Sequence, residues 1–119
     1  MKNKIYSLKS LSKIIQRDKK KLKTIVHCHG VFDLLHVGHI KHLKKAKEFG
    51  DKLVVTITPD RHVNKGPGRP VFNQTLRSEV LAAIDAVDYV SINDTPTAVY
   101  PIKIIKPNIY CKGKDYKNF

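Results

Sequence analysis

Cysteine is scarce in this chain. Cys28 and Cys111 are too few for a disulfide framework and are not spaced as paired C-x-x-C zinc knuckles, so they read as reduced thiols. Long apolar runs are missing too: nothing approaches the roughly 18 residues that a membrane span needs. The opening MKNKIYSLKSLSKII has neither the uninterrupted apolar stretch nor the small-residue cleavage site of a secretory signal. A cytoplasmic protein is the expectation. There is no internal repeat and no low-complexity tract, and 119 residues with 41% hydrophobic content support one core rather than two.

Acids are the other shortage, 10 against 23 Lys and Arg, for a net charge of +13. The imbalance is uneven along the chain. Residues 1 to 23 hold nine cations against Asp18, giving +8, and residues 24 to 119 account for the remaining +5. The excess is thus mostly a basic leader over residues 1 to 23, and nucleic acid is not the expected partner of the domain at 24 to 119. Within the leader Leu8, Leu11, Ile14 and Ile15 recur at helical spacing, which predicts an amphipathic helix with its lysines in solvent. Attraction of that helix to a polyanion, whether substrate phosphate, nucleic acid or an anionic membrane, is the other reading.

Past Thr24 short apolar runs alternate with helical ones. TIVHC (24 to 28) and LVVTI (53 to 57) are β-branched and bounded by breakers, as buried parallel strands are, and YVSI (89 to 92) and NIYC (108 to 111) are shorter runs of the same kind. Between them, residues 36 to 50 read as a helix ending at Gly50, residues 73 to 86 as a helix capped by Asn73, and residues 97 to 106 as a weaker helix ahead of Pro107. This alternation predicts an α/β, Rossmann-like parallel sheet with helices on both faces, preceded by the basic helix.

The stretch CHGVFDLLHVGHIKHL (28 to 43) carries the candidate chemistry. The first strand runs into a loop with Gly30 and then into a helix starting near His36, so the positive helix end faces the crevice above the sheet as an anion site. His36 and His39 stand at i and i+3 on the first turn, and Gly38 between them leaves room for a ligand near the backbone. Two imidazoles there can donate to phosphate oxygens. In a zinc reading His36, His39 and His29 are ligands, but no Glu follows the first His as in H-E-x-x-H. In a purely structural reading the histidines cap and pack the helix, the role favoured for His29 and His42.

GVFDLLHVGH resembles the signature of the H-x-G-H nucleotidyltransferase (cytidylyltransferase-like) superfamily. The resemblance continues through AKEFGDKLVV, NKGPGRPVFNQTLR, AVDYV, DTPTAV and KPNIYCKGKDY, covering most of residues 24 to 116. It is nearest to heptose-1-phosphate adenylyltransferase domains, with glycerol-3-phosphate and ethanolamine-phosphate cytidylyltransferases as cousins. The resemblance implies transfer of NMP from an NTP to a phosphate monoester, with Mg²⁺ accompanying the NTP and pyrophosphate released.

It also implies residue roles. His36 and His39 hold the triphosphate, and Lys65, in the NKGPGRP loop, reaches its phosphates. Gly30, the Val31 and Phe32 backbone, Val37, Gly38 and Arg77 are nucleotide-binding residues, and no residue is assigned as a metal ligand. Asp33 is expected to anchor its loop rather than react, since a bare carboxylate would repel a triphosphate. Lys112, Gly113 and Asp115 follow the fourth strand, expected beside the first, and border the same crevice as contacts for acceptor or nucleotide. For Lys65, Arg77 and this last group, a plain surface role is the alternative.

Relatives of this kind continue into a Ser/Thr-rich element opening a last helix, which this chain lacks at Phe119. Similar domains occur fused to ribokinase-like sugar kinases, so fusion to or association with such a kinase is an expectation, as is a homodimer. Two functional classes stay open: an enzyme, and a non-catalytic module that binds nucleotide or an acidic partner. The base, ATP or CTP, is left undecided, because the resemblance spans users of both.

Overall fold

A computed structural model describes residues 3–63 and 66–112. Four parallel strands, β1 (Ile25–Gly30), β2 (Lys52–Ile57), β3 (Tyr89–Ile92) and β4 (Ile109–Tyr110), form one sheet in the order β3-β2-β1-β4. Helices α1 (Leu8–Lys20), α2 (Val37–Lys47), α3 (Gln74–Ala82) and α4 (Val99–Ile105) cover it. The register sets Cys28 against Val55, Gly30 against Ile57, Val54 against Tyr89 and Val26 against Ile109. The chain builds outward from β1 through β2 to β3, then returns to place β4 on the other side of β1. That reversal opens a crevice at the carboxyl end of β1, where ligands of open α/β sheets bind.

Strand pleating sends alternate residues to opposite faces and so builds two core layers. Val26, Cys28, Leu53, Val55 and Val90 pack with Leu43 and Ala46 of α2 and Leu81 of α3. Ile25, Val54 and Tyr89 pack with Leu11 and Ile15 of α1 and Ile105 of α4. The apolar stripe of the basic leader thus lies against the sheet, and the segment before it adds to the sheet edge: Tyr6 N donates to Val90 O at 2.9 Å and Val90 N to Lys4 O at 2.9 Å. Among the described residues no helix is long and apolar enough to cross a membrane.

Several boundaries differ from expectation, and α3 ends at Ala82, four residues short of the expected 86. β1 runs two residues beyond Cys28, because His29 and Gly30 pair with Thr56 and Ile57; the polar His29 hides a strand residue from apolar pattern reading. α2 ends at Lys47, and Gly50 is not a left-handed cap. A Cβ at Gly50 would stand 2.7 Å from Val26 Cγ2 and 2.9 Å from the Thr24 carbonyl oxygen, so the glycine serves close approach to the start of β1. α4 is shorter, residues 99 to 105, closed by Lys106 at a left-handed φ of 51°. Asn73 caps α3 as expected, its Oδ1 accepting from Leu76 N at 2.9 Å.

Candidate active site

The site grows from the end of β1. Gly30 closes the strand, and Phe32 two residues on takes a left-handed φ of 53° that turns its ring back over the glycine. A Cβ on Gly30 would lie 2.9 Å from Phe32 Cε2, which is why this position has none. The buried Phe32 ring then meets the His39 ring edge-on at 5.9 Å.

α2 begins with an imidazole pair. His36 is the N-cap, in extended conformation, and its Nδ1 accepts from Gly38 N at 3.0 Å; His39 Nδ1 accepts from His36 N at 3.3 Å, completing a reciprocal capping box. The ring centroids are 4.1 Å apart. A neutral imidazole whose Nδ1 accepts must carry its proton on Nε2. Both rings are therefore fixed as Nε2–H donors at the positive end of a helix. A Cβ on Gly38 would sit 2.7 Å from His36 Cε1, so the absence of a side chain here makes room for the His36 ring.

Two buried ionic clamps shape the crevice wall. Asp33 accepts from Arg69 Nε at 2.7 Å, Val71 N at 2.8 Å and Phe72 N at 2.8 Å. Burial alone would raise its carboxyl, but those backbone donors and the Arg69 charge outweigh it and hold the group below the usual carboxylate range. Asp33 thus anchors the loop, as expected. Arg77, expected to touch nucleotide, has its guanidinium fully buried. It donates to the carbonyls of Phe72 (3.0 Å), Val31 (2.9 Å) and Thr58 (2.7 Å) and to Asp60 Oδ1 (2.7 Å). With four acceptors filling its fork, Arg77 ties the loops after β1 and β2 to the start of α3.

Val37, 65% exposed, opens the first turn of α2, and Lys112 is exposed just beyond β4, next to β1. Lys65, Gly113 and Asp115 lie outside the described residues. Among the described residues no three of His, Cys, Asp or Glu gather as a metal cage, and both Asp33 oxygens are already bonded.

Sequence reading did not single out His27, Thr56, Thr58 or Arg69. His27 Nε2 lies 2.8 Å and His29 Nδ1 2.7 Å from Thr56 Oγ1, with Thr58 Oγ1 3.4 Å from His29 Nε2. Burial pushes His27 down to about 3, helped by the neighbouring His29, and pushes His29 down to about 4. The alternation of His27 and His29 along a strand was the available signal. His42 is half-buried on α2. Cys28 is buried near Cys111; burial first, then Cys111, push its thiol up to about 12, which makes it a poor nucleophile.

Residues 27–119 match the cytidylyltransferase-like family. The chain belongs to it. It is a nucleotidyltransferase-type family. The cytidylyltransferase-like chain is 45% identical over 115 residues to the bifunctional protein HldE of Geobacter metallireducens, covering 95% of this chain and 24% of that protein. It is 49% identical over 100 residues to HldE of Nitratiruptor sp., covering 82% and 22%. It thus spans about a quarter of the length of these curated relatives. A solved structure, the lipopolysaccharide core biosynthesis protein from Thermoplasma volcanium, superposes with a TM-score of 0.69 at 28% identity, covering 81% of this chain and 82% of that one.

Proposed function

We propose that this chain transfers a nucleotidyl group from ATP or CTP to a sugar phosphate in the cytoplasm. An acceptor phosphate oxygen attacks the α-phosphorus, the bond from that phosphorus to the bridging oxygen breaks, and pyrophosphate leaves with the electron pair. No general base is needed, because a phosphate monoester is already ionised at neutral pH; the protein must align the reactants and neutralise growing negative charge. Mg²⁺ brought in on the triphosphate supplies part of that neutralisation.

The reading rests on the His36 and His39 pair, whose mutual capping fixes two Nε2–H donors at a helix N-terminus. Their place is to hold the triphosphate, with Lys65 as the loop cation and Lys112, Gly113 and Asp115 toward the acceptor or nucleotide. Val31 and Phe32 present backbone to the nucleotide, positioned by Arg77 and Asp33 from behind. Resemblance to heptose-1-phosphate adenylyltransferase domains, and relatives called bifunctional that are about four times as long, support a sugar-phosphate acceptor and a partner kinase unit.

The test is a panel of ATP, CTP, GTP and UTP against sugar 1-phosphates and glycerol 3-phosphate, read by pyrophosphate release, with His39→Ala as the control. Turnover with one pairing, cut about a hundredfold or more in His39→Ala at unchanged folding, is the expected result. Saturable NTP binding with no pyrophosphate from any pairing overturns it in favour of a binding module.

A further inference from the structure

A second concavity opens at the other end of the sheet. The histidine turn adjoins the carboxyl ends of the strands, whereas this one lies where β2 begins at Lys52 and β3 at Tyr89, roughly 17 Å away along a six-residue strand. The end of α1 and the segment paired with β3 complete its wall. The cavity, of about 300 Å³, is lined by five cations, Lys4, Arg17, Lys21, Lys23 and Lys52. Tyr6 and Tyr89 form an aromatic side, their rings 6.1 Å apart at 70°.

Two carboxylates share this lining, but both are engaged. Asp18, buried beneath the rim, accepts from the Tyr89 hydroxyl and lies 3.8 Å from Arg17. Asp88 accepts from Lys47 Nζ at 2.5 Å and from Leu53 N at 2.8 Å. Lys4 Nζ donates to the Ile84 carbonyl at 3.1 Å. Among the described residues Lys21, Lys23 and Lys52 enter no ion pair, although Lys52 Nζ stands 5.9 Å from the Tyr89 ring centroid. Cations gathered around one concavity focus a positive potential there and repel one another until an anion sits among them. The volume, at the lower end of small-molecule sites, matches a phosphorylated metabolite in size.

We propose that this cavity is a second anion site, separate from the histidine crevice, that binds a phosphorylated small molecule with its phosphate between Lys21, Lys23 and Lys52. A ligand there bridges the end of α1 to the starts of β2 and β3. It therefore fastens the basic helix to the sheet from the side away from the crevice.

Inorganic pyrophosphate is the probe, titrated at constant ionic strength into isotope-labelled protein while backbone amide shifts are followed by NMR. The amides of Tyr6, Lys21 and Lys52 report this cavity, and those of Gly38 and His39 report the crevice. Saturable shifts are expected in both sets. The double variant Lys21→Ala/Lys52→Ala should weaken the first set at least tenfold and leave the second unchanged. Lys9→Ala/Lys13→Ala, on exposed positions of α1, should alter neither. Shifts at Tyr6 and Lys52 that never saturate, or that weaken equally in both double variants, would reduce the cavity to diffuse surface charge and overturn the proposal. Hexaglutamate moving the same amides at lower concentration than pyrophosphate would also overturn it, pointing to an acidic protein partner.

Discussion

Replacing Gly38 by alanine separates the stability of the histidine turn from its chemistry. A Cβ at this position would stand 2.7 Å from His36 Cε1 and 3.0 Å from His36 Nδ1, whereas ordinary contact begins near 3.4 Å. The backbone is not left-handed here, so alanine fits the helix and the imidazole must yield, by about 0.7 Å or by a rotamer change. Losing the His36 cap costs about 0.5–2 kcal/mol. Replacing glycine in a helix returns up to about 1 kcal/mol, so urea unfolding should show a net change within about 1 kcal/mol. Turnover should fall much further. Displacing a reacting group by about 1 Å can cost roughly a hundredfold, so a ten- to hundredfold loss at saturating substrate is expected, equivalent to about 1.4–2.7 kcal/mol on the barrier. His36→Asn is the companion variant, because asparagine caps as well as any residue but cannot present Nε2–H; it should fold normally and lose activity. Full turnover in a normally folded Gly38→Ala protein would refute the claim that the position of this ring matters.

Arg77→Met should destabilise the fold by about 2–4 kcal/mol in urea unfolding, because it leaves the part-exposed Asp60 and three carbonyls, that of Thr58 buried, without their shared donor; a loss below about 1 kcal/mol would contradict its role as a clamp. Stability should decline with acid from pH 7 to 5. The folded pKa values of His27 and His29, about 3 and 4, lie below the unfolded value of 6.5, so below that pH the unfolded chain takes up protons the folded chain resists. Each histidine then costs about 2 kcal/mol at pH 5; equal unfolding free energies at pH 7 and 5 would sink this account, and His27→Gln should shallow the slope. In thiol labelling without reductant, Cys111 should react in the native protein while Cys28 waits for unfolding, and rapid native labelling of both would show that Cys28 is not buried.

What could be read from residue order alone was the part governed by local periodicity. The strands Ile25, Lys52 and Tyr89 begin, the Asn73 cap and the histidine pair at i and i+3 all follow from spacing and residue type. The tasks of Gly38, Gly50 and Arg77 did not follow, because each is defined by a neighbour distant in sequence or by a rotamer. Gly50 is small for Val26, and Arg77 sits in a sequence, TLRSEV, that reads as a solvent-facing helix turn until Val31, Thr58 and Asp60 are brought around it. Asp33 is intermediate. Electrostatics predicted that it would not react, but nothing in its surroundings in sequence named Arg69, Val71 and Phe72 as its partners.

The clamps made by Asp33 and Arg77 also bear on when ordering occurs. The loop after β1 and the segment from Arg69 to Phe72 are two chain stretches that ligand binding would otherwise have to immobilise. Here their backbone groups are already held by two buried side chains. The conformational entropy of that wall is surrendered on folding, and under the proposed function a triphosphate arriving at the histidine turn would meet a surface whose shape is set in advance.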